Sequence, residues 1–316
     1  MAVAKLHFLM IIFQLIVFVL LSSGRYKQHV QETGMKKLFF KEVSHVDCFP
    51  VITYNLNMMK ITFTLFIILI GLKITAQNTF IAHRGASYLA PENTVAAANL
   101  AWELGADAVE VDVYLTKDNR IMVIHDKDTK RTCSGKKNLS IKDSPSMLLR
   151  DLDAGIWKGN EFEGERIPFL IEIIETVPEG KKLVVEIKCG SEILSALKRC
   201  IEKSEKKEQV IFISFDWKTI VETQKEFPGN KCYWLSSSKS GLNKKMEQAV
   251  ENGLAGLNLK HSIIDQEIIE MAKEKGLEIL TWTVDEPEEA KRLTELGVTG
   301  ITTNRPKWLK EEMAKL

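Results

Sequence analysis

Two short runs place carboxylates where a strand would be expected to bury apolar side chains. In Val109-Glu110-Val111-Asp112-Val113 the residues alternate faces, so the valines share one face and Glu110 and Asp112 the other. Leu183-Val184-Val185-Glu186-Ile187-Lys188 repeats the pattern, with Glu186 and Lys188 opposite Val185 and Ile187. Carboxylates crowded on a dry face need compensation, because burying unpaired charge costs several kcal/mol. A divalent cation supplies it, and all-oxygen ligation selects Mg²⁺ or Ca²⁺ over zinc. The competing reading is a Glu/Asp/Lys ion-pair network without metal. Two histidines end neighbouring runs: His83 closes Phe80-Ile81-Ala82-His83 ahead of Arg84-Gly85, and His125 closes Ile121-Met122-Val123-Ile124-His125 ahead of Asp126. A pair of imidazoles beside three carboxylates suits acid/base work near neutral pH, where an unperturbed imidazole titrates at about 6.5. The types alone do not say which histidine is acid and which is base.

These residues need a scaffold. From Gln77 onward, short β-rich runs alternate with amphipathic stretches. Strands are expected at Thr79–Arg84, Ala108–Tyr114, Ile121–His125, Lys182–Lys188, Val210–Phe215, Lys231–Leu235, Leu254–Leu257, Leu277–Val284 and Gly300–Thr303. Helices are expected at Glu92–Leu104, Leu170–Thr176, Ile193–Ser204, Trp217–Glu226, Lys244–Asn252, Gln266–Lys275 and Glu286–Leu296. Such alternation means βα units and a mostly parallel sheet. Only residues 115–120 separate Tyr114 from Ile121, too few for a parallel crossover. Ile121–His125 therefore returns as the second arm of a hairpin, outside the main sheet. Eight parallel strands in about 240 residues fit an α/β fold, the (β/α)₈ TIM barrel, with a β-hairpin and a small insertion at about 127–165 after strand 2. In a barrel the valines pack outward, and Glu110 and Asp112 point inward near the end where such folds keep active sites. An open doubly wound sheet is the weaker reading, since no GxGxxG follows the first strand.

Composition narrows the class. With 43 Lys+Arg against 42 Asp+Glu, the net charge of +1 is too balanced for a general nucleic-acid binder. Eight of those basic residues and three of the acidic ones fall in residues 1–76, leaving 35 and 39 beyond and a net of −4 for the body. A mildly acidic body that takes a phosphate anion needs a metal ion or a few placed Lys/Arg. The leader holds two apolar stretches, Leu6–Leu21 and Ile61–Leu72, both short of the roughly 20 residues a spanning helix needs. The second follows Met58-Met59-Lys60 and precedes Lys73-Ile74-Thr75-Ala76, which is the build of a signal peptide cut before Gln77. Residues 58–76 are read as the working signal, residues 1–57 as an upstream in-frame extension, and residues 77–316 as an exported catalytic domain, periplasmic or secreted. Membrane anchoring by the hydrophobic segments is the alternative. The five cysteines show neither CxxC nor zinc-finger spacing, and the four beyond the leader are read as ordinary residues.

Nine stretches, in order over about 79–308, make the chain resemble the glycerophosphodiester phosphodiesterase family. They are His83-Arg84-Gly85-Ala86, Pro91-Glu92-Asn93-Thr94, Glu110-Val111-Asp112-Val113, His125-Asp126, Ile167-Pro168-Phe169-Leu170, Glu186-Ile187-Lys188, Ser214-Phe215, Trp282-Thr283-Val284 and Gly300-Ile301-Thr302-Thr303. The resemblance implies a barrel enzyme that hydrolyses deacylated phospholipids to glycerol 3-phosphate and an alcohol. It implies catalytic roles for His83 and His125, ligation of one divalent cation, Ca²⁺ or Mg²⁺, by Glu110, Asp112 and Glu186, and phosphate contacts from Arg84 and Lys188. The expected partner is a small-molecule glycerophosphodiester, with no nucleic acid and no protein partner evident. Trp282 is a candidate for lining the pocket against the glycerol carbons, and core packing is its other reading.

The chain departs from the family's pattern at three places. Asp285 stands where the family often has Asn, Asn304 where it often has Asp, and Phe169 where a small polar residue is commoner. None is expected to touch the metal or histidine set, and they leave the alcohol-side specificity open. Pro91-Glu92-Asn93-Thr94 reads as a helix start, with Pro in the first turn and an acid facing the dipole, ahead of substrate contact. Two other functions compete. One is a barrel that only binds phosphodiesters, against which the intact His, Glu, Asp and Lys set argues. The other is a phosphoinositide-cleaving phospholipase, which calls for an exposed apolar rim that the body sequence does not obviously show.

Overall fold

A computed structural model describes residues 78–135 and 138–316. The expected leader, signal peptide and cleavage point lie outside the described residues. The strands are β1 (Thr79–Ala82), β2 (Ala108–Leu115), β3 (Ile121–Val123), β4 (Lys182–Ile187), β5 (Val210–Ser214), β6 (Cys232–Ser236), β7 (Gly256–Lys260), β8 (Glu278–Trp282) and β9 (Gly300–Thr303). Their order is β1-β9-β8-β7-β6-β5-β4-β2, and β1 also pairs with β2, so eight parallel strands close on themselves. β3 joins the sheet through β2, antiparallel, as the short 115–120 connection requires, and its Met122 also bridges Phe169. The ring is the (β/α)₈ barrel, and the doubly wound alternative is excluded.

The helices are α1 (Val95–Glu103), α2 (Ser146–Arg150), α3 (Leu170–Thr176), α4 (Leu194–Ser204), α5 (Trp217–Glu226), α6 (Leu242–Glu251), α7 (Gln266–Glu274), α8 (Pro287–Leu296) and α9 (Pro306–Met313). Strand alternation separates two cores. Val109, Val111 and Val113 of β2 and Leu183, Val185 and Ile187 of β4 face outward and pack with Ala98, Leu170 and Ile173 of the helix layer. Ile81, Ala108, Val184, Ile213, Tyr233, Leu235 and Leu280 face inward and fill the barrel floor. Burial of each such aliphatic side chain contributes roughly 1.5–3 kcal/mol.

Two expectations are corrected. The first helix begins at Val95, not Glu92: Asn93 takes a left-handed φ of 59°, which breaks a helical run, and Thr94 becomes the cap, accepting from Ala97 N at 3.1 Å. Two helices went unforeseen, α2 inside the insertion and α9 after β9, the latter started by Pro306 in its first turn. The insertion is otherwise irregular, as expected, and has its own small core of Met122, Ile124, Ile141, Leu149, Ala154 and Ile167. Asp153 ties its loop together, accepting from the N–H groups of Gly155, Ile156 and Gly164 at 2.6–2.8 Å. Phe169 lies under Arg120 and Arg150, at 4.5 and 4.9 Å from the ring centre, which gives its aromatic ring a packing role at the hairpin. Cys133, Cys189, Cys200 and Cys232 are all free thiols.

Candidate active site

The inward register brings the carboxylates together at the carboxyl ends of the strands. Asp112 of β2 pairs in register with Glu186 of β4, and Glu110 sits one step lower on β2. Oxygens of Glu110, Asp112 and Glu186 lie within 4.8 Å of one another. Lys188 Nζ is 2.9 Å from Glu186 Oε1 and 3.5 Å from Asp112 Oδ1, and Arg84 Nε is 3.4 Å from Asp112 Oδ2. The chain turns sharply after β1: Arg84 and Gly85 take left-handed φ values of 55° and 80°. That turn aims the Arg84 N–H at Glu110 Oε2, 2.9 Å away. A Cβ on Gly85 would lie 2.6–2.8 Å from Ala97 of α1, so only glycine fits there.

The balance of charge is negative. Burial, then the charges of Asp112 and Glu186, push the Glu110 carboxyl well above its ordinary value. Burial and Asp112 push Glu186 up to about 7. Burial pulls Lys188 down, but Asp112 and Glu186 outweigh it and hold the amine above its usual range. Glu110 Oε1 is buried with no hydrogen-bond partner among the described residues. An orphaned carboxylate oxygen facing two other carboxylates is a donor set that fits a hard divalent cation.

The two histidines are held differently, and one expectation is corrected: two of the departures, Asn304 and the Asp285 that holds it, belong to the histidine set, because the strand ends after β8 and β9 meet beside His83. His83 Nδ1 is 2.8 Å from Asn304 Oδ1, and burial followed by the positive charge of Arg84 push the imidazole below its ordinary value. His125 Nδ1 is 2.6 Å from Asp126 Oδ1. Arg131 donates to both oxygens of Asp126, at 2.7 and 3.2 Å, and this grip leads the effects that hold Asp126 at about 2. Arg131 also donates twice to Glu92, at 2.8 and 2.7 Å, and Glu92 accepts from Arg84 at 2.8 Å. Alternating charges thus run from His125 to Arg84. His83, Arg84, Glu110, His125, Glu186, Lys188 and Trp282 line one cavity of about 110 Å³, with Asp112 buried beneath it. Every site residue expected from the sequence is therefore brought to one place. Trp282 lines the cavity, with its Nε1 donating to Asn258 O at 3.2 Å and Phe215 packed edge-on at 5.4 Å.

The sequence pattern of the glycerophosphoryl diester phosphodiesterase family matches residues 83–308, a span that contains this whole constellation. The chain belongs to that family. It is 38% identical over 234 residues to a glycerophosphodiester phosphodiesterase of Caldanaerobacter subterraneus subsp. tengcongensis, covering 72% of this chain and 95% of the relative. Its fold is similar to that of an Oleispira antarctica phosphodiesterase solved with the product sn-glycerol-3-phosphate, with TM-score 0.70, 30% identity, and 75% and 96% of the two chains covered. It is also similar to the Thermotoga maritima glycerophosphodiester phosphodiesterase, with TM-score 0.61, 26% identity, and 75% and 98% covered.

The glycerophosphodiester phosphodiesterase site also contains residues that sequence reasoning left unassigned. Asn93 donates to Asp112 Oδ2 at 2.8 Å and accepts from Asp112 N at 3.1 Å, which fixes that carboxylate. Its left-handed turn is also what frees Glu92 to face Arg84 and Arg131, so Glu92 braces these two cations rather than opening a helix. Asp126 follows His125 directly and was a visible candidate. Arg131 lies in the irregular insertion, where no pattern marked it. Tyr88, Leu89, Ile156 and Trp157 are exposed, and Lys158, next to Trp157, donates to Ser87 O at 2.7 Å, which ties the insertion to the loop after β1.

Proposed function

We propose that the enzyme hydrolyses soluble glycerophosphodiesters to glycerol 3-phosphate and an alcohol, with His83 and His125 as its acid/base pair and Glu110, Asp112 and Glu186 as the ligands of one divalent cation, Ca²⁺ or Mg²⁺. One observation carries this reading. Two imidazoles whose Nδ1 atoms are already engaged line the same small cavity as a three-carboxylate cluster. Each ring has its Nε2 left for a substrate proton. A cation held by the three carboxylates would offset the charge of the phosphoryl oxygens and draw electron density from phosphorus. Arg84 and Lys188 add fixed positive charge beside the same oxygens. The base takes a proton from the attacking water or glycerol hydroxyl, and the acid returns one to the departing alkoxide. Trp282 supplies an apolar wall for the glycerol carbons.

The test is incubation of the purified protein with glycerophosphocholine and with glycerophosphoethanolamine, followed by detection of glycerol 3-phosphate, with and without chelator. Release of glycerol 3-phosphate that stops on chelation and returns with Ca²⁺ or Mg²⁺ is the expected result. No release from either compound overturns the activity, and full turnover after exhaustive chelation overturns the metal. The exposed Tyr88, Leu89, Ile156 and Trp157 favour a second reading, cleavage of a phosphoinositide at a lipid surface. Faster turnover of phosphatidylinositol vesicles than of glycerophosphocholine would select it.

Export of the enzyme is part of the proposal, supported by the basic start and short apolar core before Ala76. N-terminal sequencing of the native protein checks it. A mature chain beginning at Gln77 is expected, and one beginning before residue 58 overturns it.

A further inference from the structure

The bond from Asn304 to His83 is the last link of a chain that starts at Asp285. Asp285 follows β8 and accepts three hydrogen bonds. Its Oδ1 takes Thr303 Oγ1 at 2.8 Å and the Asn304 backbone N–H at 2.8 Å, and its Oδ2 takes Asn304 Nδ2 at 2.6 Å. A carboxylate has only acceptors. It therefore holds the Asn304 amide with Nδ2 toward itself and Oδ1 away. Oδ1 in turn accepts from Ser87 Oγ at 3.1 Å and faces His83 Nδ1 at 2.8 Å. An acceptor facing Nδ1 requires the ring proton there, which leaves Nε2 with its lone pair free.

We propose that Asp285 and Asn304 are positioning residues of this enzyme: together they fix the proton of His83 on Nδ1 and so make its Nε2 the proton acceptor of the reaction. The inference rests on the phosphodiesterase reading for the reaction, but the tautomer itself is a property of the protein without substrate. With His83 taking the proton from the attacking hydroxyl or water, His125, whose Nδ1 also faces an acceptor, must enter protonated on both nitrogens to give one from Nε2 to the leaving alkoxide.

Asp285→Asn is the decisive substitution because it changes little else. The new Oδ1 still accepts from Thr303 and from the Asn304 backbone, so the new Nδ2 must face the Asn304 side chain. The Asn304 amide then turns over, presents Nδ2 to His83, and pulls the ring proton to Nε2. The contacts along the relay are kept, and only its direction is reversed. An Asp→Asn change that leaves a catalytic histidine in the wrong tautomer costs up to about 10⁴-fold in kcat. Here the carboxylate acts through an amide, so a loss of at least about tenfold is expected, with KM changed less than about threefold. The double variant Asp285→Asn/Asn304→Asp restores the direction: the amide now at position 285 donates to the carboxylate now at position 304, which again accepts from His83 Nδ1. Its kcat should return to within about threefold of the unmodified enzyme, a coupling that independent structural losses would not give.

The experiment combines kcat and KM on glycerophosphocholine with the two-bond ¹H–¹⁵N spectrum of the histidine rings at neutral pH, the His83 signals being assigned by their loss in His83→Gln. The expected spectra show Nδ1–H in the unmodified enzyme, Nε2–H in Asp285→Asn and Nδ1–H again in the double variant, with kcat following. An unmodified enzyme that carries the proton on Nε2, or an Asp285→Asn variant that keeps Nδ1–H or full kcat, overturns the proposal. Failure of the unmodified enzyme to release glycerol 3-phosphate would instead sink the phosphodiesterase reading, while the spectra would still decide the relay.

Discussion

The floor and the mouth of the barrel are built from the same strands by the same rule, yet they do opposite things. On β2 the inward positions run Ala108, Glu110, Asp112, and on β4 they run Val184, Glu186, Lys188. Each step of two residues climbs about 6.6 Å. The lowest positions join Ile81, Tyr233 and Leu280 in an apolar plug, and Ile213 and Leu235 carry it up to the wall of the cavity. One step higher the lumen holds Glu110, 2% exposed and with an orphaned oxygen, and two steps higher Asp112, 1% exposed. The floor gains free energy from burial, while the mouth gives some up to desolvated like charges. Height along a strand, more than residue type alone, separates the stabilising layer from the reactive one.

The widest gap between the two layers should appear in the histidines. His83→Ala and His125→Ala should each lower kcat by about 10²–10⁴-fold, with little change in unfolding free energy. Steady-state assays beside denaturant melts check both halves of that statement. A nitrophenyl ester, whose leaving group departs without a proton, should rescue His125→Ala and leave His83→Ala inactive. Equal and small losses with either substrate would place the chemistry elsewhere. The reverse experiment belongs to the floor. Leu280→Ala should cost about 2–5 kcal/mol of stability by leaving a cavity in the plug, yet keep kcat per folded molecule. A loss of kcat in the folded fraction would mean that the layers are not separable.

A smaller effect concerns pH. In the metal-free protein the Glu186 carboxyl lies at about 7, above the ordinary value of 4.5. The folded state therefore binds the proton more tightly than the unfolded chain does. Its contribution is complete below about 4.5 and is lost as pH rises through about 7. Metal-free protein should accordingly melt higher at pH 5 than at pH 7.5. Glu186→Gln should shrink that difference, and a saturating divalent cation should reverse it by favouring the ionised carboxylates. A difference that Glu186→Gln leaves unchanged would contradict the charge balance drawn here, since the depressed His83 acts on the total in the opposite sense.

The floor, the strands and most of the mouth were legible in the sequence because they depend on local alternation. Val109 to Val113 and Val184 to Lys188 show a period of two that needs no tertiary information, and six intervening residues suffice to diagnose the β2–β3 hairpin. The hydrogen bonds that orient the site are different in kind. Asn93 reaches Asp112 only because a left-handed turn breaks what reads as a helix start, and Arg131 reaches Glu92 from a loop without periodicity. Lys158 reaches Ser87 O only after the insertion folds over the loop following β1. The 306–313 helix was legible in principle, from Pro306 in its first turn, but it follows the last strand and lies outside the strand count that organised the reading.

Closure of the ring also has a consequence for how the enzyme is made. His83 meets Asn304, 221 residues later in the chain. At a synthesis rate of about 5–20 residues per second, the ribosome needs roughly ten to forty seconds to cover that distance. For all of it, one edge of β1 waits for β9, exposed as a template for wrong pairing unless something shields it. The nascent chain meanwhile already carries all three carboxylates and Lys188, but not the residues that orient its base. Catalysis thus waits for the last strand, since a chain that stops before Gly300 owns nearly every reactive group but neither closes the ring nor holds His83. Translation-arrested chains of stepped length, assayed while still on the ribosome, would show activity arriving in a single step once β9 and Asn304 have emerged.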